Sequence, residues 1–143
     1  MSGHTLDELP DWIPGTACVL ATVDAEGRPH AIPMSTPHRA GPKRITFALG
    51  PTRGSAERLH ADGRAALVVM TEGVALTAEG TVRRIAQPLD PDGRVDGYEL
   101  VVEEIWDHNG PTFAMDAPVG WHWADDDAEQ GDLRAHEALG KLP

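Results

Sequence analysis

From Leu49 to Asp62 the chain reads LGPTRGSAERLHAD, and here residue types and spacing come nearest to chemistry. The Gly50-Pro51 and Arg53-Gly54 pairs mark a loop, and Ser55 is a suitable N-cap for a helix over 55–62. A helix start presents unpaired backbone amides and the positive end of the helix dipole, which together attract anions. Thr52, Gly54 and Ser55 add hydroxyls and an approachable backbone, and Arg53 and Arg58 supply guanidinium forks that match phosphate geometry. The chemistry on offer is the binding of a phosphate-sized anion. The same residues would also make a capped helix with two solvated arginines, and the local sequence leaves both readings open.

Other reactive residue types are less organised. The seven histidines stand at 4, 30, 38, 60, 108, 122 and 136, with no His-x-x-x-His pair and no cysteine nearby, so no metal site is expected. Cys18 lies in the apolar run ACVLATV and reads as a buried structural thiol. Asp125, Asp126 and Asp127 read as a solvated helix start, and no Gly-x-Ser-x-Gly elbow of a hydrolase is present. Trp121 and Trp123 would share one face of a strand; such a pair suits the core, an interface, or a groove for a flat ligand.

Charge narrows the partners. The chain has 143 residues, enough for one domain over 1–143, with 12 basic and 23 acidic side chains and a net charge of −11. That balance argues against nucleic acid. The whole excess lies in 72–143, whereas the stretch 28–64 is locally +5. One cysteine allows no intrachain disulfide framework. The opening MSGHTLDELPDW lacks the basic start and apolar stretch of a signal peptide. No run approaches the ~20 apolar residues of a membrane helix. A cytoplasmic protein without membrane contact is expected.

The elements that must position these residues follow from periodicity and turn chemistry. Residues 5–12 suggest a short helix capped by Ser2 or Thr5. Runs 16–24 and 30–36 form a hairpin around Gly27, with Pro33 marking an edge, bulge or break. A turn over 38–43 leads to a strand over 44–50. Strands 65–72 and 74–85 form a second hairpin, the latter alternating Val74, Leu76, Ala78, Gly80 and Val82 on one face. Residues 98–108 carry both helix-like and strand-like signals. The glycine before them, with Gly110-Pro111 after, leaves little room for a helix and favours a strand. Residues 112–123 read as a last strand. The tail is a helix with acids at its start, Lys141 at its end, and a stripe of Leu133, Ala135, His136, Leu139 and Leu142. Short strands in this order close most naturally as a small antiparallel barrel.

The order and wording of LATVDAEGRPHAIPM, ITFALGPTRGSAERLHADGRAALVVM and VALTAEGTV resemble the FMN-binding split-barrel family, the pyridoxamine 5′-phosphate oxidase-like group. The resemblance covers about residues 14–85. It implies a mainly β (α+β) fold: a six- to seven-stranded antiparallel split β-barrel with short flanking helices and a C-terminal helix. It implies a homodimer with FMN in a groove between subunits. Pro33, Met34, Ser35 and Thr36 would pass along the flavin ring, and Thr52, Arg53, Ser55 and Arg58 would hold the phosphate. Trp121 and Trp123 become candidates for stacking on the ring. One departure stands out. Many FMN binders carry a lysine four residues before the helix leucine, and counting back from Leu59 reaches Ser55, so Arg53 or Arg58 must supply the cation.

The resulting expectation is an FMN-dependent oxidoreductase acting on a small molecule, with no catalytic acid or base identifiable. Deazaflavin and haem are alternative ligands. The alternative functions are a non-catalytic, stress-related flavin- or haem-binding protein, and an empty barrel that serves as an interaction dimer.

Overall fold

Cys18, Leu20 and Thr22 are buried while Val19, Ala21 and Val23 are only half-buried, so the first long strand has one face in the core. The same period-two logic builds most of the sheet. A computed structural model describes residues 4–110 and 112–143; Ser2 and Pro111 lie outside them. Its elements in chain order are β1 (His4–Thr5), β2 (Cys18–Val23), β3 (Pro29–Met34), β4 (His38–Gly41), β5 (Arg44–Leu49), α1 (Gly54–Ala61), β6 (Arg64–Thr71), β7 (Val74–Ala86), β8 (Asp96–Asp107) and α2 (Asp126–Gly140). The ladders are antiparallel and run β3-β2-β6-β7-β8-β5-β4, with β1 added on β8.

The end strands of that order, β3 and β4, are joined through residues 35–37 alone. Each residue spans at most about 3.6 Å, so the sheet must curl until its two margins nearly meet. They meet without pairing, and the barrel stays split along this line. Pro33 sits on the end strand β3, where its missing N–H interrupts no second ladder.

Inside the barrel, Leu20, Phe47, Leu67, Val69, Tyr98 and Leu100 form the centre of one core, which α1 closes with Ala56 and Leu59. Phe47 and Tyr98 stack with centroids 5.7 Å apart. The β5 strand is buried on both faces. Ile45, Phe47 and Leu49 face the barrel, and Ala48 faces outward under Ala135 and Leu139 of α2. Two-sided cover explains why RITFAL reads as a nearly continuous apolar run.

Of the residues 98–108 expected as a strand, β8 covers 98–107, and a bulge explains their mixed signal. Glu79 pairs with Glu104 but Gly80 with Val102, leaving Glu103 as an extra residue. The inward positions therefore shift from Tyr98, Leu100 and Val102 to Ile105, and the strict alternation is lost. On the outer face Glu99 is buried between Arg44 and Arg83, which both donate to it. Burial alone would raise its pKa, but these bonds and charges outweigh that and hold the carboxyl below its ordinary range.

Four expectations need correction. Residues 5–12 form no helix: Thr5 pairs with Trp106, Leu9 inserts into the core, and the Leu9 amide bonds the Pro42 carbonyl. Tertiary contacts and Pro10 outweigh the local helical tendency. The supposed turn over 38–43 is mostly strand β4, which pairs with β5 through a bulge after Arg39 and leaves only Pro42 and Lys43 to turn. Residues 112–123 carry no strand among those described; their backbone is held by isolated bonds, the Phe113 carbonyl accepting from Gly110 and the Met115 carbonyl from Gly73, and not by a ladder. Ser55 is no cap: Arg53 occupies that position and Ser55 lies within α1. In α2, Asp125 caps the start by accepting from the Ala128 amide, and Ala135 and Leu139 are buried, but Leu133 of the expected stripe is exposed. Cys18 is buried as expected, and burial pushes its thiol up to about 12.

Candidate functional site

The loop 50–53 continues β5 past the rim of the barrel and turns into α1. The Arg53 amide bonds the Gly50 carbonyl, and the Arg53 carbonyl accepts from Ala56 and Glu57. No side chain caps the first turn, which leaves the positive end of α1 open. The Arg53 side chain is exposed and forms no ion pair among the described residues. Arg58 is differently placed: its Nε donates to Thr22 Oγ1 at 3.0 Å and its Nη2 to Ser55 Oγ at 3.2 Å. Arg58 therefore ties α1 to β2, and Ser55 is buried beneath it.

A cleft of about 410 Å³ opens along the split of the barrel. Ile32 to Thr36 form one wall, and Ala48, Leu49, Gly50 and Arg53 form the floor and one end. Arg94, Val95 and Trp123 contribute from loops, and α2 closes the far wall with Asp127, Ala128, Gly131, Asp132 and Ala135. Of the ten residues proposed from sequence, the cleft gathers six: Pro33, Met34, Ser35, Thr36, Arg53 and Trp123. Thr52, Ser55, Arg58 and Trp121 do not line it. The Thr36 hydroxyl is already engaged, donating to the Ala48 carbonyl at 3.2 Å and accepting from its amide at 3.1 Å. Trp121 donates to the Gly15 carbonyl and meets Trp123 edge-on, centroids 5.2 Å apart at 88°. The two rings thus do not share a strand face.

The α2 wall and Arg94 went unrecognised in the sequence. Ala128, Gly131 and Ala135 form a stripe of small residues at helical spacing, which was the available signal for a helix lying close over a groove. Arg94 carried no signal, because its position depends on strand register.

A partly buried polar chain joins α2 to β4. His38 Nε2 and His136 Nδ1 share a hydrogen bond of 2.7 Å with the rings stacked, and His136 Nε2 lies 3.3 Å from Asp132 Oδ2. Burial and the neighbouring His136 push the His38 pKa down to about 4. Its unfolded value is about 6.5, so the unfolded chain takes the proton first. Stability should then fall as pH drops from about 6.5 to about 4 and gain no further loss from this group below that. The half-exposed ring limits the effect to about 1 kcal/mol. Urea unfolding at pH 4 to 7 should show this slope, and His38→Gln should flatten it; an unchanged slope would exclude His38 as its source.

A second cleft, of about 430 Å³, lies between the 87–95 loop and the end of α2, lined by Asp90, Asp92, Arg134, Glu137 and Lys141. Its cations are paired, Arg134 to Asp92 at 3.0 Å and Lys141 to Glu137 at 3.3 Å, and its excess of carboxylates suits an anion poorly. Among the described residues, no three His, Cys, Asp or Glu side chains gather as metal ligands. Among them too, no helix is long and apolar enough to cross a membrane.

The model of the pyridoxamine 5′-phosphate oxidase family matches residues 8–108, most of the chain. The chain belongs to that family. The split antiparallel barrel described above is the corresponding fold. Among solved structures, a Lactobacillus delbrueckii protein described as a pyridoxamine 5′-phosphate oxidase superposes with a TM-score of 0.61 at 18% identity, covering 73% of this chain and 98% of its own. An F420 reductase superposes with a TM-score of 0.51 at 20% identity, covering 63% and 86%. A haem-binding protein from Mycobacterium smegmatis superposes with a TM-score of 0.53 at 16% identity, covering 65% of this chain and 49% of its own. At these identities the likeness is one of fold. No curated protein matches the sequence.

Proposed function

We infer that this family member is an FMN-dependent oxidoreductase acting on a small molecule, in the cytoplasm and as a homodimer. The observation that carries this reading is the cleft itself. One end holds Arg53, which among the described residues has no ion pair, beside an uncapped helix start; one wall is the return strand Pro33 to Thr36, and Trp123 lies at the side. Its volume is within the ~300–1,000 Å³ usual for small-molecule sites.

The donor set fits a phosphorylated flavin. The cleft has Arg53 and the open first turn of α1 for a phosphate, the Ser35 hydroxyl, and apolar surface from Ile32, Pro33 and Met34 for a flat ring. Gly50 lies between Arg53 and Arg94: a Cβ there would make ordinary contacts with Arg53 Cγ at 3.4 Å and the Arg94 carbonyl oxygen at 3.9 Å. A bound flavin would supply the hydride or electron transfer, and the protein would bind, orient and shield it. Arg53 would anchor one end of the ligand. The α2 wall would exclude water from the other side. Exposed Ile13, Phe113, Val119 and Trp121 offer apolar surface that a second subunit would bury.

The absorption spectrum of freshly purified protein tests the reading. Oxidised-flavin bands near one per chain, bleached anaerobically by NADH or NADPH, are the expected result. A colourless protein that leaves added FMN fluorescence unquenched would overturn it.

A second reading is a flavin-, deazaflavin- or haem-binding protein without turnover. It is favoured by Ser55, which stands where many FMN binders carry a lysine, lies buried against Arg58 and does not line the cleft. A flavin that NADH and NADPH fail to bleach would favour it. A Soret band would assign haem, although among the described residues no histidine or cysteine lines the cleft and Met34 is its one thioether.

A further inference from the structure

The lysine expected at the anion end of the cleft is missing, and the +5 stretch of sequence does not replace it fully. Arg58 is held by Thr22 and Ser55, Arg44 by Glu99, Arg64 by Asp62, and Arg39 by the Leu9 carbonyl. Only Arg53 reaches the cleft from that stretch. A second cation arrives from the acidic half of the chain. Leu49 pairs with Asp96, and continuing that antiparallel register sets Gly50 beside Val95 and Pro51 beside Arg94. The 3.9 Å approach of the Arg94 carbonyl oxygen to the position of a Gly50 Cβ agrees with this placement. Arg53 and Arg94 thus leave adjacent chain segments at one rim of the barrel, and both line the same cleft.

We propose that Arg94 is the second cation of this subsite and that Arg53 and Arg94 together clamp a dianionic phosphate monoester. The proposal rests on the reading that the cleft takes a phosphate-bearing ligand. Two guanidinium groups on separate supports match the charge and the several oxygens of such a group better than one. Two acids line the cleft with them. Asp132 faces His136 at 3.3 Å, and Asp127 approaches Arg94 only to 3.5 Å while itself 81% exposed. That weak, screened pair would open when a phosphate enters. The Asp127 carboxylate therefore acts as a stand-in that lowers affinity for the anion.

The test compares FMN with riboflavin, which lacks the phosphate, by quenching of flavin fluorescence. Arg94→Ala should weaken FMN at least about tenfold and leave riboflavin unchanged. Asp127→Asn should tighten FMN, and the part of that gain that runs through Arg94 should disappear when Asp127→Asn is combined with Arg94→Ala. Thermal unfolding should be little altered in Arg94→Ala, whose ion pair is weak and screened, and only slightly lowered in Asp127→Asn, which leaves Asp126 and Glu129 in the first turn of α2. Inorganic phosphate, followed by phosphorus-31 line broadening, gives a second readout independent of flavin. If Arg53→Ala weakens FMN but Arg94→Ala does not, the proposal is overturned and the flavin reading stands. Equal weakening of FMN and riboflavin by Arg94→Ala would make Arg94 a shaper of the cleft and also overturn it. If the protein binds no FMN but binds phosphate in an Arg94-dependent way, the flavin reading fails and the clamp stands. Binding of neither would overturn both.

Discussion

Replacing Gly80 by alanine should destabilise the protein by about 3 kcal/mol or more, although a methyl group is the smallest side chain that can be added. A Cβ at this position would fall 2.0 Å from the Val101 carbonyl oxygen, 2.9 Å from its carbon and 3.1 Å from Val102 Cα. These are backbone atoms of β8, so no side-chain rotation relieves the clash. The crowding arises at the bulge, where Glu103 is extruded and β7 closes on β8. Relief would require the two strands with the most extensive pairing in the sheet to separate. Urea unfolding measures the loss. Gly120→Ala is the control, because no atom lies within 4 Å of its Cβ position, and it should change stability by less than about 0.5 kcal/mol. A Gly80→Ala protein as stable as the parent would show that the bulge is not closed as described.

Arg53→Ala should weaken FMN by about 1.5–3 kcal/mol, or roughly 10- to 150-fold, with little change in stability. The side chain is exposed and among the described residues has no ion pair to lose, so the folded protein gives up little. Arg58→Ala should behave in the opposite sense. It removes the bonds to Thr22 and Ser55 and leaves buried Ser55 with one partner fewer, so stability falls while FMN affinity changes little. Sequence placed the two arginines together as phosphate ligands; the folded chain separates them into one that faces the cleft and one that fastens α1 to the barrel. Fluorescence titration and urea unfolding of both variants check the pair. Unchanged affinity in Arg53→Ala would remove Arg53 from the site.

Much of the fold was legible because its signals are local. The hairpin around Gly27, the β6–β7 hairpin, and the capped acidic start of α2 each follow from turn chemistry and alternation within a few residues. The misread segments are those whose conformation depends on distant partners. Residues 5–12 are held extended by β8 and by the Pro42 carbonyl. His38 to Gly41 become a strand because β5 offers an edge, and 112–123 are fastened by single bonds to Gly73 and Asn109 and not by a ladder.

The candidate site divides in the same way. That Arg53, the return strand Pro33 to Thr36 and one of the last tryptophans would line a common cleft was readable from residue type, order and family resemblance. Which arginine is available, that Thr36 is bound to Ala48, and that α2 and Arg94 complete the cleft were not. Those facts turn on strand register and on helix packing across the split, which bring together residues dozens of positions apart. Local propensity says what a segment tends to form; long-range pairing says which of its side chains remain free to act.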